Sequence, residues 1–179
     1  MIKKLSLIFL ILVAVSIAGC KMQEIEQNIP EGAVLLGEVE IDSFNILFYE
    51  NDDKYLTLIK EQVSSYENSI EVLKFEDNVK LVGWCSMRLS DYGKEVTAIP
   101  VQSFDEKVAY ITMGKDIHRN SKNISYGEVV VFAWDKLMSW NDLEAIAYSS
   151  DDIPLYELGY EIRRGEPIKT NELRWLPLD

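Results

Sequence analysis

Val79-Lys80-Leu81-Val82-Gly83-Trp84-Cys85-Ser86-Met87-Arg88-Leu89 carries the longest clean alternation in the chain. Val79, Leu81, Gly83, Cys85, Met87 and Leu89 fall on one face at a period of two, with Lys80, Ser86 and Arg88 on the other. Successive side chains of a strand point to opposite faces, so this stretch predicts a half-buried β-strand. Its apolar face holds Cys85.

The same period recurs on both sides of it. Upstream, Glu38-Val39-Glu40-Ile41-Asp42 alternates acids with aliphatics, and Phe44, Ile46 and Phe48 share a face. Asn51-Asp52-Asp53-Lys54 then precedes the aromatic and branched run 55–60, which predicts a hairpin around an Asn/Asp turn. Residues 70–75 predict a further strand. Downstream, 96–101 predicts a shorter strand, in which Pro100 points to an edge or a bend. Residues 108–113 predict another. Residues 128–134 (EVVVFAW) are nearly all apolar, as expected of a central strand covered on both faces. Runs 143–148 and 155–160 flank Ser149-Ser150-Asp151-Asp152-Ile153-Pro154 as a second hairpin, and 172–178 adds an edge strand around Trp175. Helix signals are scarce: 135–143 has room for one or two turns. The expected class is mainly β, an antiparallel meander or sandwich of roughly seven to ten short strands with little helix. An α+β domain with one helix is the alternative.

The amino terminus has a different texture. Lys3 and Lys4 precede residues 5–17 (LSLIFLILVAVSI), 13 residues with two serines and no charge. As a helix this run would reach about 20 Å, short of the roughly 30 Å hydrocarbon core, so it reads as the apolar region of a signal peptide. It ends in Ile17-Ala18-Gly19-Cys20, which resembles the lipobox of bacterial lipoproteins. The resemblance covers residues 1–20. It implies cleavage between Gly19 and Cys20 and a diacylglyceryl group on the Cys20 sulfur, with no other cofactor. Two acyl chains anchor a protein stably where one does so only marginally. On this reading 1–19 is the signal peptide, 20–32 a lipidated tether ending at Pro30 and Gly32, and 33–179 one β-rich domain. Runs such as Leu47-Phe48-Tyr49-Glu50-Asn51-Asp52-Asp53-Lys54-Tyr55 are similar in texture to small lipoproteins of low-GC Gram-positive bacteria, which implies a chain on the outer face of the cell membrane and no particular activity.

Composition bounds the partners. Without Lys3 and Lys4 the chain has 16 basic residues against 30 acidic ones, a net charge of −14. Such a surface repels phosphates, so nucleic acid is excluded as a partner and the lipid alone must provide membrane attachment. With Cys20 acylated, Cys85 has no second cysteine to pair with, and the core must hold the fold without disulfides.

Sites of chemistry are hard to find. One histidine, His118, and no clustered cysteines argue against zinc. The acidic pairs Asp52/Asp53, Glu76/Asp77, Asp105/Glu106 and Asp151/Asp152 lack the spacing of a calcium loop and read as turn residues. A Cys85–His118 nucleophile–base pair is set against the position of Cys85 on an apolar face, where a thiol is an inert small hydrophobe. Trp134 and Trp140, bracketing Asp135-Lys136-Leu137-Met138-Ser139, are candidate surface aromatics for stacking on a wall glycan, weighed against plain packing. No catalytic residue is assigned. The sequence reads as a membrane-tethered, non-catalytic module that binds a protein or cell-wall component. That reading expects an exposed apolar or aromatic patch, an open sheet edge and no polar cleft. The alternatives are a small-molecule or ion sensor and, behind it, a carboxylate-based hydrolase.

Overall fold

The computed structural model describes residues 29, 31–42, 44–61, 67–89, 93–161 and 172–178. The expected signal peptide, the expected cleavage point at Gly19–Cys20 and most of the expected tether lie outside them. Among the described residues the chain forms thirteen strands: β1 Val34–Ile41, β2 Phe44–Glu50, β3 Lys54–Glu61, β4 Glu67–Leu73, β5 Val79–Leu81, β6 Cys85–Leu89, β7 Lys94–Ser103, β8 Tyr110–Met113, β9 Asn120–Asn123, β10 Val129–Trp134, β11 Ile146–Tyr148, β12 Pro154–Gly159 and β13 Arg174–Pro177. The expected seven to ten is therefore too few, for the reasons given below.

They pair into three antiparallel sheets. The first is the meander β1-β2-β3-β4. In the second, β7 pairs with β10 on one side and with both β5 and β6 on the other. The third has the order β13-β12-β11-β8-β9. Both expected hairpins are present. In the first, the Asn51 side chain accepts the amides of Asp53 (3.1 Å) and Lys54 (2.9 Å), the Asn turn that the sequence predicts. In the second, β11 pairs with β12 around the 149–153 turn.

Two cores divide the faces of the middle sheet. Cys85, Val96 and Ala98 meet Phe44, Ile46, Phe48 and Ile59 of the meander. Ile99, Val101, Val130, Phe132 and Trp134 meet Ile111, Met113, Ala147 and Trp175 of the third sheet. The β7 run Val96-Thr97-Ala98-Ile99-Pro100-Val101 is thus buried residue after residue, because it has protein on both faces. Here the structure corrects two expectations. The Pro100 strand is neither short nor at an edge: it is the ten-residue centre of its sheet. The all-apolar strand β10 is covered on both faces, yet among the described residues it pairs with β7 alone.

The alternating run 79–89 is also corrected: it is two strands. β5 pairs with Leu81↔Val101 as its last partners, β6 begins at Cys85↔Ala98, and Val82-Gly83-Trp84 between them lies opposite Ile99 and Pro100. Val82 N–H donates to the Pro100 carbonyl (3.2 Å), so the Pro100 nitrogen, which has no hydrogen to donate, faces the interruption. The Trp84 amide turns instead to the Thr57 hydroxyl of the meander (3.3 Å). Gly83 fits here because it has no side chain. A Cβ on it would lie 2.6 Å from Phe48 Cδ1 and 2.9 Å from Pro100 Cγ. A Gly83→Ala substitution is expected to lower the stability of the chain by about 1–3 kcal/mol through overpacking, read from the midpoint of urea unfolding. An unchanged midpoint would show that close approach does not set the interruption.

Candidate functional site

Three exposed large apolar side chains, Ile117, Leu137 and Trp140, stand on two loops, 114–119 after β8 and 135–145 after β10, while Val34, Leu35, Leu73, Phe104, Tyr126 and Ile153 are exposed elsewhere. The two loops are tied together. Gly114 N–H donates to the Leu143 carbonyl. Glu144 receives Lys115 (3.2 Å) on one carboxylate oxygen and Arg119 (2.8 Å) on the other. The Trp134 indole N–H donates to the His118 carbonyl (2.7 Å), and Arg119 Nε to the Gly114 carbonyl (3.2 Å). The Glu144 carboxylate in turn holds the Lys115 ammonium pKa above its ordinary value.

Loop 135–145 is also fastened from below. Thr97, fully buried on β7, donates its hydroxyl to the Lys136 carbonyl (2.8 Å) and accepts the Met138 amide (2.9 Å). Ser86 of β6 adds a bond to the Met138 carbonyl (3.0 Å). Beyond Met138, which is buried, Ser139 and Asp142 form a capping box around the 3-10 turn Trp140–Asp142. The Ser139 hydroxyl and amide together hold the Asp142 carboxyl pKa below the usual range. Asp116 and Glu144 have positive φ values, +50° and +35°. Such backbone persists where surrounding bonds over-determine it, as they do here.

What these braces present is apolar. Ile117, on the 3-10 turn Asp116–His118, is 91% exposed; Trp140 is 43% and Leu137 37% exposed. The Tyr160 ring meets the Trp140 indole edge-on at 5.0 Å, which fixes the indole without covering it.

Of the sequence candidates, Trp140 is therefore a surface aromatic and Trp134 is not. Trp134 is buried in the core beside Phe132, because β10 directs its even-numbered side chains inward. Gly19 and Cys20 lie outside the described residues. Cys85 and His118 are not brought together: Cys85 faces the meander core, and His118 sits with Trp134 at the opposite face of the middle sheet. Burial pushes the Cys85 thiol up to about 12. Three of the acidic pairs stand at turns or bends, while Asp77 of the fourth is ion-paired with Arg174. Asp105 accepts the Lys107 amide (2.9 Å) and the Tyr156 hydroxyl (2.7 Å), and Asp152 accepts the Tyr110 hydroxyl (2.7 Å). Ile117, Leu137 and Thr97 went unread in the sequence. The only signal for Ile117 is one aliphatic in an otherwise polar run, Gly114-Lys115-Asp116-Ile117-His118-Arg119.

Tyr55, Asp77, Lys80 and Arg174 line a shallow indentation of about 10 Å³, room for about one water molecule. The outer edge of β9 is open among the described residues, but its four side chains are exposed and polar, Lys122 among them, a composition that discourages strand addition. Comparison with known protein families, curated sequences and solved structures returned no match.

The buried thiol gives a direct check. In a Cys20→Ser chain, where Cys85 is the remaining cysteine, the native protein is expected to resist alkylation at pH 8 and to react fully once unfolded. The fold holds the Cys85 proton more tightly than the unfolded chain does. Its contribution to stability is therefore complete below about pH 9 and declines as the pH rises toward 12. Rapid alkylation of the native chain would contradict the placement of Cys85.

Proposed function

We propose that this chain is a membrane-anchored extracytoplasmic lipoprotein whose β-domain is a non-catalytic binding module for a protein or cell-wall component. The anchoring half rests on the sequence: a 13-residue apolar run ending in Ile17-Ala18-Gly19-Cys20. The observation that carries the binding half is the braced apolar end. Three large apolar side chains are held out to solvent by loops that are bonded to each other and to the core. Exposed aliphatic and aromatic groups on braced loops are candidates for contact, and a surface that is already held in place loses little entropy on binding.

Charge supports the location. Lys115, Arg119 and Lys136 stand among Asp116, Asp135, Asp142 and Glu144, so this end is close to balanced on a chain with a large acidic excess. A partner therefore meets less repulsion here than on a surface of average charge. The carboxylate-based hydrolase is not favoured, because Asp77, Asp105, Asp142 and Asp152 are each engaged in turns and ion pairs.

The test combines fractionation with photo-crosslinking in intact cells. Wild-type chain is expected in the membrane fraction, and Cys20→Ser is expected uncleaved and unacylated. A photo-reactive residue at position 117 is expected to give a discrete adduct that the same residue at position 53 does not. Acyl labelling of Cys20→Ser would end the anchoring half. Equal labelling at 117 and 53, or none at either, would end the binding half.

A further inference from the structure

Strand registers fix which loops share an end of the domain. β7 runs antiparallel to β10, with Thr97 opposite Trp134 and Gln102 opposite Val129. β1, in the facing meander, lies over β10 and runs in the same direction. A Cβ on Gly37 would sit 3.5 Å from both Val129 Cγ1 and Val131 Cγ2, and Val39 and Ile41 pack on the meander core beside Val131. Just past the end of β1, Asp42 pairs with Lys94 (2.8 Å), the first residue of β7, on the Trp134 side of the sheet. The start of β1 therefore lies at the opposite end, level with Ser103, Phe104 and the turn at Tyr126 and Gly127. Eight residues of β1 put roughly 25 Å between the two ends.

The end where the chain enters the domain carries exposed apolar side chains from both sheets. Val34 and Leu35 open β1 and are exposed, Val34 by 60%. Tyr126 is 62% exposed, and its ring meets that of Phe104, also exposed, edge-on at 5.7 Å. The turn beneath them is held to β7: Gly127 N–H donates to the Ser103 carbonyl (2.7 Å), and the Gln102 side-chain amide donates to the Gly127 carbonyl (3.0 Å). Loop 135–145, which bears Leu137 and Trp140, follows Trp134 at the other end.

We propose that the domain rests this entry end on the bilayer, with Phe104 and Tyr126 at the level of the headgroups, and so directs the braced loops away from the membrane. This orientation rests on the acylated Cys20 of the anchored reading. Residues 20–33 reach at most about 50 Å when fully extended, so the anchor keeps the start of β1 within that distance of the surface. The braced loops are a strand's length farther along. Position thus commits the entry end to lipid: it is the part of the domain that the anchor holds closest to the bilayer. A tyrosine ring, apolar in its body and polar at its hydroxyl, suits the headgroup level. On so acidic a chain, attraction to anionic headgroups contributes nothing. The acyl chains supply the affinity, and the apolar side chains of the entry end set the direction.

The test uses the lipidated, ¹⁵N-labelled full chain in phosphatidylcholine nanodiscs that contain a headgroup-spin-labelled lipid. Acylation of Cys20 is read on the same sample by mass spectrometry. The amides of Tyr126 and Gly127 are expected to lose most of their intensity, and those of Ile117 and Met138 little, because paramagnetic broadening falls steeply with distance. Tyr126→Ser is expected to lower the broadening at Gly127 about twofold, with an unchanged thermal transition. On an acylated chain, equal broadening at Ile117 and Tyr126, or none at either, would overturn the orientation and leave the anchor standing. Absence of acyl on Cys20 would overturn both. Shifts of the Tyr126 amide that follow protein concentration rather than lipid would assign this end to a second copy of the chain and overturn its contact with the bilayer.

Discussion

Everything in this domain leans on the close approach of Gly83 to Phe48, Thr57 and Pro100. At that point the ladder between β7 and its neighbour stops, and the meander settles onto the middle sheet. A proline in a central strand removes a ladder bond and is ordinarily excluded. Here the missing donor coincides with three residues that have left the ladder, one of which gives its amide to Thr57 of the facing sheet. The middle sheet is thereby covered on both faces, and its strands must be apolar on both. Cys85 lies on the meander face as a small hydrophobe in a closed core.

The same middle sheet builds the apolar end. Thr97 alternates with the residues that face the meander, so its hydroxyl emerges on the other side, beneath loop 135–145. A buried hydroxyl that satisfies one carbonyl and one amide fixes the loop by local chemistry, without any large contact area. Glu144 then ties that loop to the one carrying Ile117. Leaving an isoleucine in water forgoes about 1.5–3 kcal/mol relative to burying it. The chain forgoes that contribution on a loop that is rigidly supported, where a collapse inward would have been easy had the loop been free. This is the physical basis for reading the end as a surface made to be covered.

Much of the fold was legible from period and turn chemistry. The Asn51 turn, the 149–153 turn and the strands around them follow from local signals that operate within about ten residues. The misreadings share a cause. The 79–89 alternation is continuous in sequence, but its interruption is imposed by Pro100 and Phe48, which are distant in the chain. β9, Asn120-Ser121-Lys122-Asn123, has no apolar residue, because it is an exposed edge held by β8 alone among the described residues. β10 looked central because it is covered on both faces, and coverage by stacked sheets leaves the same apolar signature as pairing on both edges. Trp134 and Trp140 are six residues apart and looked alike; only the direction of the β10 side chains sends one inward and leaves the other out.

Native-state amide hydrogen exchange tests most directly whether the apolar end is a pre-formed surface. The Met138 amide, bonded to Thr97, and the Gly114 amide, bonded to Leu143, should exchange as slowly as those of the neighbouring strands β7 and β8, opening only with the fold as a whole. Exchange of these two amides at the rate of unprotected loops, while β7 stays protected, would show that the end is mobile and would contradict the account.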